Sequence, residues 1–298
     1  ETLREGARVE RNDEKRNPTD FALWKFSQKP GARQQEWDSP WGVGFPGWHL
    51  ECSVMSSMGL GEQLDIHCGG VDHINVHHTN EIAQYEAAYG KQFFNYWMHG
   101  AFLNIAGGKK MAKSENNFLT LENVFVKKGI DPLAFRFAAL QTHYRKPMEY
   151  SGEIIKNAEK GLKHLLNQTM DLQIAYSGTV SIDKKFNDKF TKAINDDLNM
   201  PQALSITQEL LKSDLSDDKK YYTVLWFDRI LGVITEWINI KQKESENLPK
   251  NIKEKKEERA VARKRKNWEE SDRLRDELEK SGYIVEDIKN NKQRIYKK

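Results

Sequence analysis

The sequence predicts an α/β portion, then an all-helical bundle, and last a small α+β region. Short aromatic and β-branched runs that alternate with glycine turns and an alanine-rich helix indicate the α/β portion, residues 1–150. Apolar residues that recur at helical spacing indicate a bundle over 151–240. A change of charge marks the last region, since residues 241–298 carry 19 Lys and Arg against 13 Asp and Glu, whereas residues 1–240 carry 28 against 31.

Composition narrows the class of protein. The 298 residues are enough for two or three domains with a sizeable core. The sequence has no apolar run long enough to cross a membrane and no signal peptide at its start, so we expect no membrane partner. Two cysteines argue against a disulfide scaffold and for a reducing compartment, the cytoplasm. We expect a monomer, and the polar opening predicts that this chain is the later part of a longer protein.

Candidate metal ligands lie between residues 48 and 81. His77 and Glu81 are four residues apart at the start of the alanine-rich helix, so they share a helix face, and a loop could bring Cys52 to the same point. Sulfur, imidazole and carboxylate donors together fit zinc, with three ligands rather than four. For any one of these residues alone, a buried cysteine or a polar core histidine is the better interpretation.

A candidate nucleotide site follows the strand predicted at residues 64–68. Gly69 and Gly70 end that strand and let the backbone approach a ligand closely, and Asp72 can accept hydrogen bonds from ribose hydroxyls. Some forty residues on, Lys110 and Lys113 lie on a glycine-preceded run that suits a phosphate clamp. The alternatives are an ordinary turn and a solvated basic loop.

The later helices and the tail are predicted from periodicity and turn residues. We predict helices over 121–125 and 133–140, and one long helix over 250–280 that places Trp268 on its apolar side. A hairpin over 283–296 should end the chain. The basic charge of residues 241–298 predicts an RNA-binding surface, and the alternative is a solvated helix face.

Several motifs together resemble the cysteinyl-tRNA synthetases, a class I aminoacyl-tRNA synthetase family. They are DFALWK at 20–25, PGWHLECS at 46–53, DIHCGGVD at 65–72, HHTNEIAQ at 77–84, NYWMH at 95–99, KMAKS at 110–114 and HYRKPMEYS at 143–151. The resemblance covers essentially the whole chain. It implies a Rossmann-like catalytic portion that is only partial here, because the family's His-x-Gly-His motif for ATP does not occur in this sequence and a further zinc-ligating cysteine has no counterpart.

The resemblance also implies a reaction and roles for residues. The complete enzyme would ligate L-cysteine to tRNA(Cys) through cysteinyl adenylate, using ATP with Mg²⁺, while zinc selects the substrate thiolate. Residues 241–298 would bind the anticodon, and this chain would be inactive alone. The resemblance implies that Trp48, His49 and His67 line the cysteine pocket and that Cys52, His77 and Glu81 bind zinc. It implies ATP binding for Gly69, Gly70, Asp72 and Lys113, and a catalytic role for Lys110 and Lys113.

The sequence departs from the family pattern at two positions. Ala112 replaces a serine, which is a mild change, and Cys68 replaces a glycine beside the nucleotide, where it could also compete for zinc. Two alternative functions remain. One is a cysteine ligase that acts on a small amino sugar, against which the basic tail counts, and the other is a non-catalytic zinc- or RNA-binding remnant.

Overall fold

The computed structural model describes most of the chain and divides it into two units. The units are Glu1–Phe102 and Leu103–Lys298. The predicted boundaries after residues 150 and 240 fall inside the second unit, and as domain boundaries they remain predictions. The structure describes residues 15–17, 19–105, 107, 119–172, 181–287 and 293–297. No described helix has both the length and the apolar character that a membrane span requires.

The first unit combines short strands with two helices. Its elements are β1 (Trp24–Phe26), β2 (Gly44–Pro46), α1 (Trp48–Leu60), β3 (Leu64–Gly70), a 3₁₀ turn (Val71–His73), a π-helical turn (Ile74–His78), α2 (Thr79–Tyr89) and β4 (Phe94–Gly100). β1 and β2 pair antiparallel. β3 and β4 pair in parallel, from Leu64 opposite Phe94 to Gly70 opposite Gly100. Because parallel strands need a crossover, α2 and the turns before it connect them as a βαβ unit.

The two faces of the β3–β4 pair differ. On one face, His67 and Trp97 are register partners and their rings lie 4.8 Å apart. Side chains alternate between faces along a strand, so Ile66 and its partner Tyr96 point the other way, where they are 56% and 69% exposed. Cys68 is exposed on that second face.

The second unit is mainly helical. Its elements are β5 (Leu103–Ile105), α3 (Leu121–Val124), a 3₁₀ turn (Val126–Lys128), α4 (Leu133–Leu140), β6 (Met148–Tyr150), α5 (Gly152–Met170), α6 (Lys184–Asn195), α7 (Met200–Lys212), α8 (Asp217–Leu231), α9 (Thr235–Glu246), α10 (Lys250–Lys264), α11 (Trp268–Lys280), β7 (Tyr283–Asp287) and β8 (Gln293–Lys297). β5 and β6 pair in parallel, with Leu103 opposite Met148 and Ile105 opposite Tyr150.

Helices α5 to α9, which we call the bundle, bury their apolar faces against one another. Leu165 of α5, Leu210 of α7 and Phe227 of α8 are almost completely buried in one core. The ring of Phe190 in α6 stacks on that of Phe227, with centroids 3.9 Å apart. Three of these helices begin at a side-chain cap, for example α5 at Ser151, whose hydroxyl accepts from the Ile154 amide.

The predicted single helix over 250–280 is wrong. The chain forms α10 and α11 because Lys266 takes a left-handed conformation (φ 58°) and Asn267 caps α11 by accepting from the Glu270 amide. Leu274 and Leu278 are buried, but Trp268 is 54% exposed, so its predicted place on the apolar side is also wrong. The predicted hairpin is present as β7 and β8.

The C-terminal region, residues 248–297, has a small core of its own. A buried arginine lies inside it. Nη1 of Arg259 lies 2.7 Å from Oδ1 of Asp287 and donates to Oε1 of Gln293 at 2.7 Å. Asp287 also pairs with Arg263 and Arg275, and the hydrogen bond from Arg259 leads the interactions that lower its pKa. Apolar members of this core are Leu248, Ile252, Leu278, Val285 and Ile295.

Two ion pairs join the C-terminal region to α5 and its end. Nη2 of Arg294 lies 2.9 Å from Oδ1 of Asp171, and Nζ of Lys163 lies 2.8 Å from Oε1 of Glu286. The first pair is mostly shielded from solvent, whereas the lysine of the second is exposed.

Candidate functional site

The candidate site lies where α1, β3 and α2 approach one another. Cys52 belongs to α1, His67 to β3, and Glu81 to the first turn of α2. Cys52 lies near enough to Glu81 for the carboxylate to raise the pKa of its thiol, and Nε2 of His67 lies 3.0 Å from Oε2 of Glu81. The structure therefore brings together sulfur, imidazole and carboxylate donors, as the sequence predicted for Cys52 and Glu81.

Glu81 is buried, with 4% of its surface exposed, yet its Oε2 has no hydrogen-bond partner of good geometry among the described residues. Burial raises the pKa of Glu81, but the contact with His67, together with His78 and Cys52, outweighs it and leaves that pKa below its usual value. A buried carboxylate that stays ionised is costly unless well-aligned donors or a cation compensate its charge.

The Glu81 carboxylate also affects the pKa of the Cys52 thiol. Burial, followed by the nearby charge of Glu81, raises the pKa of the Cys52 thiol. Without a cation the thiol is therefore a hydrogen-bond donor rather than a thiolate. A bound divalent ion would reverse this, since coordination deprotonates a thiol.

The two adjacent histidines divide between two groups. Nδ1 of His77 lies 2.9 Å from Nε2 of His49, and the ring of Trp48 lies 4.6 Å from that of His77. It is His78 whose donor atom lies within 4.8 Å of those of His67 and Glu81. Among the described residues, this set of His67, His78 and Glu81 is the group of three that could hold a metal ion.

The π-helical turn explains why His78, rather than His77, lies in the group with His67 and Glu81. A shared face for residues 77 and 81 requires an α-helix that includes residue 77, but α2 begins at Thr79 and residues Ile74–His78 form a wider turn. In a π-helical turn the hydrogen bonds span five residues, so a spacing of four no longer places two side chains on one face. Such turns frequently occur at functional sites.

His78 and His49 are held neutral by their surroundings. Burial, followed by the neighbouring His67, lowers the pKa of His78 to about 4. Burial also leads the causes that lower the pKa of His49, with His77 next. A neutral imidazole is the form that coordinates a metal. Nδ1 of His78 lies 2.8 Å from Nε2 of His99, which can fix the tautomer of the ring.

The metal site predicted from the sequence includes neither His78 nor His99. Their signal was present, because His78 follows His77 directly and His99 ends the NYWMH motif. Choosing between the two adjacent histidines requires the local helix geometry.

The structure places the candidate nucleotide residues at the carboxyl end of β3. Gly69 and Gly70 end the strand and Asp72 lies in the following 3₁₀ turn. A Cβ on Gly69 would lie 2.5 Å from Cε1 of His78, so close packing of the histidine already requires glycine there. Lys110 and Lys113 lie outside the described residues.

Cys68 lies in β3 between His67 and Gly69. Alternation along the strand puts it on the face opposite these two residues. Its thiol therefore points away from the donors around Glu81.

Comparisons with known proteins identify the class. The profile of the tRNA synthetases class I (C) catalytic domain matches residues 1–160, and that of the cysteinyl-tRNA ligase anticodon binding domain matches residues 257–295. These matches make the chain a class I tRNA synthetase sequence. A solved LeuRS of Agrobacterium radiobacter K84, in a ternary complex with tRNA and LeuAMS, shares the fold with a TM-score of 0.50 at 14% identity, over 68% of this chain and 32% of that chain.

Curated relatives narrow the family. The chain is 44% identical to cysteine–tRNA ligase 1 of Burkholderia lata over 92% of its own length and 56% of the relative's. It is 42% identical to the cysteine–tRNA ligase of Treponema denticola over 96% of its own length and 63% of the relative's. The chain belongs to the cysteinyl-tRNA ligase family, and it spans less than two thirds of the length of these relatives.

Proposed function

We propose that this chain is the part of a cysteine–tRNA ligase that selects L-cysteine through zinc and binds tRNA(Cys). The observation that carries the proposal is the buried Glu81 carboxylate, whose donor oxygen lies within 4.8 Å of donor atoms of His67 and His78 and whose charge acts on the Cys52 thiol. The complete enzyme would activate L-cysteine with ATP and pass the acyl group from the adenylate to tRNA(Cys). Membership of the family supports the reaction.

Zinc is the metal that fits this donor set, with Cys52, His77 and Glu81 as the proposed ligands. When bound, it would supply a soft Lewis acid that holds a substrate thiolate strongly and a serine hydroxyl weakly. His67 would orient the Glu81 carboxylate from 3.0 Å, and His49 would orient the ring of His77 from 2.9 Å. Trp48, exposed beside His77, would form a wall of the cysteine pocket.

The proposed ATP site uses the carboxyl end of a parallel strand, where ligands bind in open α/β sheets. Gly69, Gly70 and Asp72 lie at that end of β3 and would hold the adenosine part of ATP. Lys110 and Lys113, with Mg²⁺, would stabilise charge on the triphosphate as the adenylate forms.

Residues 241–298 are proposed to bind the anticodon. Support comes from the family profile over residues 257–295 and from the excess of basic residues after 240. Trp268 adds an exposed ring at the start of α11, with the guanidinium of Arg263 5.8 Å from its centroid. Unpaired bases are commonly bound by stacking on such rings. The anticodon profile counts against a ligase for a small amino sugar.

Metal analysis of the purified chain tests the zinc site, and the two cysteines of the chain provide a matched pair of variants. We expect about one zinc per chain, and after replacement by Co²⁺ an absorption band from a sulfur–metal bond. Cys52→Ser should abolish this band, whereas Cys68→Ser should leave it unchanged. A band that survives Cys52→Ser and disappears with Cys68→Ser would contradict the ligand assignment.

The adjacent histidines provide a second pair. His78→Ala should weaken zinc binding by no more than about 10- to 100-fold, the effect of losing a neighbour of a ligand, and His77→Ala should weaken it more. The reverse order would mean that His78 is the ligand. The donor atom of His78 already lies within 4.8 Å of those of His67 and Glu81.

Exposed tryptophans test the anticodon proposal. Trp268→Leu should weaken tRNA binding about tenfold, the effect of losing one base stack. Trp226→Leu is the matched control, because Trp226 of α8 is also exposed beside an arginine but lies in the bundle. Deletion after residue 240 should also flatten the salt dependence of tRNA binding. Equal effects of the two tryptophan changes would contradict a stacking role for Trp268.

Activity tests the remaining part of the proposal. We expect this chain alone to lack cysteine-dependent exchange between pyrophosphate and ATP, because the sequence holds no His-x-Gly-His motif. An active chain would show that the motif is dispensable.

A further inference from the structure

The corner between α6 and α7 holds two successive residues in the left-handed region. Asp197 has φ 52° and Leu198 has φ 54°. Residues with a Cβ disfavour this region, and aspartate tolerates it better than leucine. Leu198 gains little burial in return, because 39% of its surface is exposed. Contacts other than burial of this leucine therefore hold the corner.

The Asp197 carboxylate supplies such contacts to three successive residues of another segment. Oδ1 accepts a hydrogen bond from the Tyr144 hydroxyl at 2.6 Å, and Oδ2 lies 2.8 Å from Nε of Arg145. Nε2 of His143 lies 4.0 Å from the same Oδ2. Nε of Arg145 also lies 3.1 Å from the Tyr144 oxygen, to which it donates. One carboxylate thus holds the segment at both a hydroxyl and a guanidinium.

The segment held in this way leads directly into a strand. Residues 141–147 connect α4 to β6, and within this connection the Lys146 amide donates to the His143 carbonyl at 2.8 Å to close a turn. β6 pairs in parallel with β5 over only three residues. So short a pair depends on how its ends are held. In the sequence, Lys110 follows the end of β5 by five residues.

Strain at the corner and convergence of three side chains favour a role beyond local packing, since strained backbone persists only where surrounding contacts hold it. An exposed ion pair alone would contribute little. Here the pair acts together with a hydroxyl hydrogen bond and fixes the segment from which β6 starts.

We propose that Asp197 is a positioning residue for the synthetase reaction, which holds the β5–β6 pair in register from the α6–α7 corner. This proposal rests on the proposed function, because the lysines that would act on the triphosphate follow β5 in the sequence. Asp197 acts through Tyr144 and Arg145 and does not itself contact a substrate.

Amide hydrogen exchange on the intact chain tests the proposal without any activity. Asp197→Ala should raise exchange of the β5 and β6 amides about tenfold, the factor expected for loss of a charge-assisted hydrogen bond. Asp197→Asn should raise it less, because asparagine suits the left-handed backbone and keeps an acceptor for Tyr144. Asp196→Asn is the matched control and should change neither strand.

A role confined to the corner gives a different pattern. Faster exchange throughout α6 and α7 with β5 and β6 unchanged would overturn the proposal, and so would no change in any of these elements. Tyr144→Phe should reproduce part of the Asp197→Ala effect on the strands and leave the α7 interior protected.

The complete enzyme provides the functional measurement. There Asp197→Asn should lower kcat for cysteine-dependent exchange between pyrophosphate and ATP several-fold and leave KM for cysteine unchanged. A raised KM with unchanged kcat would overturn the positioning role. If the unsubstituted complete enzyme showed no exchange, the proposed function would fail, while the amide exchange result would still decide whether Asp197 holds the strands.

Discussion

The bundle and the C-terminal region are both largely helical, but they are stabilised by different interactions. Among the described residues, the core around the bundle contains 22 buried apolar side chains, whereas that of the C-terminal region contains five. The smaller core adds the completely buried Arg259 and its bonds to Asp287 and Gln293. Apolar burial is non-directional and scales with area, but a buried ion network depends on every partner. The bundle should therefore weaken by degrees, and the C-terminal region should fail on the loss of one group.

The largest effect is expected from Asp287→Ala. This change leaves Arg259 buried without its carboxylate, which costs about 3–5 kcal/mol of unfolding free energy in such pairs. Amide exchange of β7 and β8 and urea unfolding would measure it. Asp276→Asn, at an exposed position of α11, is the control and should change little. A similarly small effect of both substitutions would remove the proposed difference between the regions.

A graded response is expected in the bundle. Leu210→Ala should cost about 3 kcal/mol, because Leu210 is completely buried, and Ile206→Val about 1 kcal/mol. Chemical denaturation of each variant measures both values. In the C-terminal region, Arg259→Lys keeps the charge but not the paired bonds to Asp287, so it should cost more than Ile206→Val. A cost below that of Ile206→Val would contradict the contrast.

Helical periodicity predicted the bundle well and the C-terminal region less well, for the same physical reason. Apolar spacing reports burial by area, so Leu165 and Leu210 could be assigned from sequence. Arg259 lies in a charged run, and such runs are usually solvated faces, so its burial gave no signal. The break before α11 did leave a signal in the sequence, since Asn267 followed by Glu269 and Glu270 is typical of a helix start.

The candidate site was predicted in part. The residue types around Glu81 suffice to expect a metal site, and the structure gathers Cys52 and His67 beside it. The sequence could not indicate the π-helical turn Ile74–His78, which decides whether His77 or His78 faces Glu81. A change of helix type depends on tertiary contacts and leaves no simple period.

Acid should separate the two regions. The hydrogen bond from Arg259 leads the interactions that hold the pKa of Asp287 below its ordinary value of about 3.9. The stability that this carboxylate contributes is complete above the unfolded-state pKa, and it is lost as the pH falls through the folded-state pKa. Below about pH 4, β7 and β8 should lose amide protection before the interior of α7. Simultaneous loss would mean that the two regions unfold as one.

The smallest effects are expected at the joint between the regions. A double-mutant cycle on Arg294 and Asp171 should give a coupling of about 1 kcal/mol, because both side chains are partly shielded. The pair of Lys163 and Glu286, whose lysine is exposed, should give under about 0.5 kcal/mol. Equal couplings, measured by urea unfolding, would show that shielding does not decide the strength of this joint.

The second face of the β3–β4 pair has a consequence for chemical labelling. Cys68 shares that face with Ile66 and Tyr96, while Cys52 is partly buried, and burial and the charge of Glu81 raise the pKa of its thiol. An alkylating reagent should therefore modify Cys68 well before Cys52. Because only two cysteines occur in the sequence, the rate of Cys68 modification measures how accessible this face is. Anything that binds over the face should lower that rate.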